Sequence, residues 1–473
     1  MKNKLTTLMK LPLIAFLLSL SIFNFSTLQA EETTTLPPQT LFTNVNVFNG
    51  TDNKLYENHH VLVENNLIKS ISAKPIDTHE QAVKIDGSGK TLMPGLIDSH
   101  SHLNVLMPGG LKEWEAASWD RIASIAASSA NEMLLEGFTT VRDMGGMSVG
   151  LKKTIDEGLL VGPRIYASGA YISQTAGHGD LTMISQQLRP EDSNLVRLGI
   201  TAIADGEDAV RTAVRRNLAS GASQIKIMMG GGISSEKGPL FAPQFTDAEV
   251  TAAVEEAATR DTYVATHIYQ AAHIKRALEL GVKSIEHGQF IDEATAKLLK
   301  EKGAFIAPFT SGFSPEALKH PVYGKKGTPQ YIKAKEFQEN SKEFGAIMKR
   351  IQPKVVLAVD VVFLTGVNAR RQRDFEKWTF TETLGTFMAL KGMTSTAGEL
   401  AKLTGKNNPY PAGKIGVIEA GAYADLLLVN GNPLTDIRVI GANPKYFDSA
   451  PRSKGIPSIK VIMKDGKIYK NTL

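Results

Sequence analysis

Between Leu41 and about Thr91 the apolar positions come in short alternating runs broken by turn residues. LFTNVNVF ends at Asn49-Gly50, HVLVE ends at Asn65-Asn66, and LIKSIS follows, the texture of short strands in a small sheet. It returns after Gly413, in ADLLLVNG and in VIMKDGKIY, where Asp465-Gly466 is a strong two-residue hairpin signal. One texture at two distant ends predicts a shared, sandwich-like β domain built from residues 31–92 and 406–473.

The stretch between them, residues 93–405, has a different rhythm. Short runs of apolar and β-branched residues fall at Gly95–Asp98, Thr139–Arg142, Ile165–Ala167, Gln224–Met228, Tyr263–Ala265, Ser284–Glu286, Phe305–Ala307 and Val355–Val359. Each is followed by a segment that reads as helix or lid, and eight such units predict an α/β fold, a (β/α)8 TIM barrel. Two helices have local signals. Thr246-Asp247-Ala248-Glu249 is a capping box opening VTAAVEEAATR, and a second helix over Ile274–Leu280 stops at Gly281. The connections Gly169–Asp205 and Phe309 to about Phe344 are too long for plain βα loops, and are expected to be lids or binding loops.

The first thirty residues carry Lys2, Lys4 and Lys10 with no acid, then a run from Leu11 to Phe23 that is apolar apart from Ser19 and Ser21. This reads as a signal peptide, residues 1–30, cleaved after Ala30 and directing export to the periplasm or the medium. The run is too short to span a membrane at ~1.5 Å per residue. Loss of those lysines reduces the formal charge from +5 to +2, which removes most of the basicity and argues against a nucleic-acid partner. The chain has no Cys, so an oxidising compartment finds nothing to cross-link.

His100-Ser101-His102 ends the strand PGLID. In an extended chain residues i and i+2 face one side, so both imidazoles can reach one ion. Alone, such a pair is as easily explained by hydrogen-bonded or surface histidines. Recurrence changes that. His267 ends the fifth expected strand, His287 the sixth, and Asp360 interrupts the apolar eighth, VVLAVDVVF. Four of the ten histidines thus fall at the C-terminal mouth, where barrel enzymes place their sites.

Lys226, in QIKIM, sits inside a strand that otherwise reads as core. An isolated buried ammonium is costly. Either it reaches water or a carboxylate at the strand end, or CO2 converts it to a carbamate whose two oxygens can bridge two cations. Gly230-Gly231-Gly232 lacks the Gly-Lys-Ser/Thr ending of a phosphate loop, and is better suited to close backbone passage. Arg370-Arg371-Gln372-Arg373 reads as a solvated charged face, or else as a clamp for an acidic group at the pocket rim. Arg142 and Asp143 end the second strand, where a structural ion pair is expected rather than a substrate contact.

Together, HSH after PGLID, Lys226 in QIKIM, His267, His287 in EHG, and Asp360 resemble the amidohydrolase superfamily. The chain looks most like its branch of imidazolonepropionase-like proteins and secreted Xaa-Pro dipeptidase-like enzymes, over nearly all of the mature sequence. The eighth strand reads Ala358-Val359-Asp360 where Gly-Thr-Asp is common, keeping the carboxylate. The resemblance implies that His100, His102 and Asp360 hold a more buried metal, that His267 and His287 hold a more exposed one, and that carboxylated Lys226 bridges them. Such ligands suit two divalent ions, Zn²⁺ first. Two cations sharing a water would lower its pKa toward neutrality, with Asp360 as the general base.

His178, in QTAGHGD on the long third loop, is the candidate oxyanion donor and substrate contact; otherwise it is simply an exposed loop residue. Tyr269, two residues past His267, either bonds a substrate carboxylate or carbonyl, or packs. The expected function is hydrolysis of an amide C–N bond in a small substrate, a dipeptide or an N-acyl amino acid. A cyclic amide or lactone is the alternative substrate, and a non-catalytic binding protein on the same barrel is a remote third reading. A homo-oligomer is possible on this sequence.

Overall fold

The computed structural model describes residues 36–473, so the expected signal peptide lies outside the described residues. Strands β1 (Gln39–Val47), β2 (Tyr56–Glu64), β3 (Leu67–Ser72), β4 (Val83–Asp86) and β5 (Thr91–Pro94) open the fold. β1 and β2 pair antiparallel, as do β2 and β3, while β4 and β5 lie parallel to β1.

A run of parallel strands follows. β6 (Leu96–Ser101), β7 (Phe138–Asp143) and β8 (Arg164–Ala167) form one sheet. β9 (Tyr171–Ser173), β10 (Thr201–Ile203), β11 (Ile225–Met228), β12 (Val264–Gln270), β13 (Ser284–Phe290), β14 (Phe305–Ala307) and β15 (Lys354–Val355) form a second, in the order β10-β9-β11-β12-β13-β14-β15. Most of these strands are buried end to end, which is why they read as continuous apolar runs and not as alternation. The helices between them confirm the local signals. The Thr246 side chain accepts from the Glu249 N–H, and the Glu249 carboxylate accepts from Thr246 N at 2.7 Å, opening the helix Asp247–Ala258. The second expected helix spans Ala271–Glu279, and Gly281 follows it with φ +99°.

Hydrogen bonds connect the two parallel sheets at both junctions. Ser223 N donates to Ala167 O at 2.7 Å on one side. On the other, Ser99 N donates to Leu357 O and Asp360 N to His100 O, both at 2.9 Å. The eighth strand, expected over Val355–Val359, keeps regular pairing only at Lys354–Val355. Val359 N is taken by the Asp98 carboxylate at 3.1 Å, not by a backbone carbonyl, and Asp360 turns to φ +49°.

The long connection after β8 differs from a plain lid, because it contributes β9 and β10 to the sheet edge beside β11. The arginine run also departs from both expectations. It lies on the helix Gly366–Leu384 and faces protein: Arg373 binds both carboxylate oxygens of Glu136 at 2.6 and 3.0 Å, Arg370 binds Glu132 at 3.1 Å, and Arg371 donates to Ser449 O. A charge cluster on a helix reads as solvated only if no partner chain segment covers it, and here the helix is covered.

The chain returns to the first sheet with β16 (Leu426–Val429), β17 (Ile459–Lys464) and β18 (Lys467–Asn471). β16 pairs antiparallel with β5, so both termini share one eight-stranded sheet. Asp465 and Gly466 form the hairpin turn with φ +55° and +72°, the two left-handed residues that the turn requires. Among the described residues, no helix is long and apolar enough to cross a membrane.

Candidate active site

His100 and His102 leave β6 on the same side, as the extended backbone requires, and their Nε2 atoms stand 3.1 Å apart. Asp360 approaches from the irregular eighth segment, with Oδ1 3.2 Å from His102 Nε2 and 3.8 Å from His100 Nε2. Ligand atoms of these three residues lie within 4.8 Å of one another, a spacing that could hold a metal ion. His287 adds its Nδ1 at 4.0 Å from Asp360 Oδ2, and its ring lies 4.9 Å from that of His100 and 4.5 Å from that of His267. His287 and Asp360 both have left-handed backbone, φ +72° and +49°. Such strain in non-glycine residues costs of order 1–3 kcal/mol each and gathers at functional sites.

Lys226 lies on β11 and opens into the same cavity, a space of about 470 Å³ lined also by His100, His102, His267, His287 and Asp360. Thus all six expected ligand positions border one space. Burial pushes the Lys226 ammonium down to about 8, with Glu286 and Asp360 opposing. An amine with that value has a far larger neutral fraction near neutral pH than an ordinary lysine, and the neutral form is the one that reacts with CO2. Burial also holds His100, His267 and His287 well below the usual imidazole range. They are neutral and carry a free lone pair, as ligation requires. The donor set therefore fits divalent cations of the zinc type.

Further buried groups touch these imidazoles. Glu286 Oε2 lies 2.7 Å from His100 Nδ1, and the Tyr171 hydroxyl lies 3.0 Å from His102 Nδ1. His267 Nε2 lies 3.0 Å from the Gly231 carbonyl. The expected ion pair at Arg142 is with Glu286, while Asp143 accepts from Leu103 N at 2.9 Å. Glu286 and Tyr171 were not among the residues singled out from sequence. A Glu inside the apolar run of β13 was a usable signal, by the same reasoning that drew attention to Lys226. Tyr171 was hidden, because nothing in its neighbourhood announces β9.

His178 is half-buried, in contrast to an exposed loop residue. Its ring packs tilted against that of His267 with centroids 4.1 Å apart, and its Nδ1 has no hydrogen-bond partner among the described residues. Burial pushes it down to about 3, aided by the positive charges of Lys333 and Lys226. Tyr269 lines the cavity 5.0 Å from His267 and 5.4 Å from His287, and also packs on Phe290 and Phe337. The packing reading of Tyr269 is thus realised, on a ring that also borders the cavity.

Three charged side chains tie the covering loops together. Glu115 accepts from Gln186 Nε2 and Asn194 N at 2.8 and 2.7 Å, joining the loop after β6 to the long third loop. Lys237 pairs with Asp180 at 2.8 Å, and Lys333 donates to Gly232 O and Ser235 O at 3.3 and 2.9 Å. The long seventh loop is in this way fastened over the site.

Known proteins resemble this chain in sequence and in fold. Residues 91–322 match the Amidohydrolase family. Ochratoxinase from Aspergillus niger is 30% identical over 400 residues, covering 80% of this chain and 75% of that protein. The crystal structure of a prolidase complexed with N-methylphosphonate-L-proline superposes with a TM-score of 0.77 at 32% identity, covering 92% of this chain and 100% of the other. A Xaa-Pro dipeptidase with bound methionine gives 0.74 at 26% identity, with the same coverage. With imidazoles and a carboxylate converging at the strand ends and likeness running along both chains, the protein belongs to the amidohydrolase family and is a hydrolase acting on carbon–nitrogen bonds.

Proposed function

We propose that this chain is a binuclear metal-dependent amide hydrolase whose substrate is a dipeptide or an N-acyl amino acid. The observation that carries the reading is the convergence of His100, His102, Lys226, His267, His287 and Asp360 on one buried cavity. His100, His102 and Asp360 would hold one ion, His267 and His287 the second, with carboxylated Lys226 between them. Bound there, two divalent cations, Zn²⁺ by ligand type, would supply Lewis acidity and make a water acidic enough to attack at neutral pH.

The protein's own groups do the rest. Asp360 takes the proton of the attacking water and passes it to the leaving amine. His178 is neutral and keeps one N–H, which it donates to the carbonyl oxygen as negative charge develops. Tyr269 orients the substrate from the cavity wall. The fastened loops exclude bulk water, which strengthens each of these interactions. The likeness to a prolidase and a Xaa-Pro dipeptidase supports trying proline dipeptides first, and the likeness to ochratoxinase supports trying other amides next.

Two structural readings accompany this. The hydrogen bonds at both sheet junctions support a single closed (β/α)8 barrel over residues 93–405. Side chains from all eight terminal strands meet in one apolar cluster, including Phe42, Val61, Leu92, Leu428 and Met463, which supports a curled, sandwich-like companion domain. The lysine-flanked apolar leader supports export.

Metal analysis of protein expressed with added zinc, followed by a dipeptide and N-acyl amino acid panel, tests the proposal. About two equivalents of metal and hydrolysis of a panel member are expected. Metal-free protein without hydrolysis would overturn it.

A further inference from the structure

β13 sends two consecutive residues toward the site. In a regular strand Glu286 and His287 would face opposite sides, but the left-handed turn at His287 brings its imidazole to the cavity while Glu286 stays buried beneath. Glu286 is fully enclosed, yet it meets two cation-capable partners. Oε2 lies 2.7 Å from His100 Nδ1, and Arg142 Nη2 reaches Oε1 and Oε2 at 2.7 and 2.8 Å. Ser284 Oγ donates to Oε1 at 2.5 Å.

Arg142 is itself held on every side. Nε donates to Ser99 O, Nη1 to Tyr263 Oη and Ser284 Oγ, and Nη2 to the two Glu286 oxygens. A guanidinium has five N–H donors, and five acceptors surround this one. The pair therefore has one orientation, set by β6, β7, β13 and Tyr263 together. A buried ion pair of this kind is weak support for stability, since desolvation offsets the attraction. Its geometry points elsewhere, because the Oε2 oxygen that Arg142 holds also meets His100. The neighbouring imidazole, His102, has only a phenol at its Nδ1.

We propose that the Arg142–Glu286 pair positions the metal centre by fixing the tautomer of His100. The carboxylate keeps the proton of His100 on Nδ1, so the ring presents Nε2, the atom 3.1 Å from His102 Nε2, as an oriented and more basic ligand. Glu286 and Arg142 are positioning residues that touch no substrate. The inference rests on the reading of His100 as a ligand.

Parent protein and the variants Glu286→Gln and Glu286→Asp are stripped with a chelator, checked by circular dichroism, and titrated with Zn²⁺ against a chromophoric competitor. A parallel Co²⁺ titration is followed by visible absorption. Gln keeps the length but removes the charge. Asp keeps an anion for Arg142, which protects folding, but withdraws it from His100 by one methylene. Both are expected to weaken binding at one of the two ions by about 10–100-fold, and to shift the Co²⁺ spectrum. Parental affinity and spectrum in folded Glu286→Asp would overturn the inference, whether or not the Gln variant folds. A parent that takes up no metal would instead overturn the proposed function beneath it.

Discussion

The imidazole of His178 rests on Gly232: a Cβ added there would lie 2.0 Å from His178 Cε1 and 2.3 Å from Nδ1. The glycine run after β11 is thus a floor for the candidate oxyanion donor. Gly232→Ala is expected to push His178 away from its contact with His267 and to lower kcat about 10²-fold, the scale of a lost oxyanion donor. Bound metal should stay at the parental level. Steady-state kinetics with metal analysis checks this, and an unchanged kcat would remove His178 from the mechanism.

Asp360 holds φ +49°, a conformation that Asn tolerates better than other non-glycine residues. Asp360→Asn should therefore fold, and hydrolysis should fall at least about 10²-fold because the proton acceptor is gone. Circular dichroism and turnover are measured together. Parental turnover would assign the general base elsewhere.

Lys226 has burial, a depressed amine and a place among the imidazoles. Lys226→Ala is expected to bring bound metal from about two equivalents to one or fewer. In parent protein prepared without CO2, metal-reconstituted activity should rise on addition of bicarbonate. A bicarbonate-independent parent would argue for an unmodified lysine.

Glu376 accepts from Thr310 N and Ser311 N at 2.7 and 2.8 Å, anchoring the start of the seventh loop. Burial pushes its carboxyl up to about 7. The folded state then binds more protons than the unfolded state, so this group's stabilisation is complete below the ordinary carboxyl value. It is lost as pH rises to about 7. Denaturant unfolding of parent and Glu376→Gln from pH 4 to 8 should show the parent losing about 2–3 kcal/mol relative to the variant. A pH-independent difference would contradict the raised value.

Much of the site was legible because its residues stand out against local pattern. Two histidines at i and i+2 after an apolar strand, a lysine inside QIKIM and an aspartate inside VVLAVDVVF each violate the composition of a core strand. Glu286 violates it equally, but its meaning depends on Arg142, which is 144 residues away. The arginine run misled for the same reason, since Glu132, Glu136 and Ser449, which satisfy it, are distant in sequence.

The chain's own order settles what depends on short range: the Asp465-Gly466 hairpin, the Thr246 capping box, the alternation of the terminal strands and the chemical identity of the ligand candidates. Tertiary structure decides which distant atoms meet. It joins β5 to β16, places β9 and Tyr171 beside His102, replaces a ladder bond of the eighth strand with the Asp98 carboxylate, and sets Glu286 against His100. The division is physical. Turns, caps and strand periodicity are fixed by the dihedral preferences and hydrogen bonds of a few neighbouring residues. Contacts between remote segments exist only once the whole chain has closed around its core.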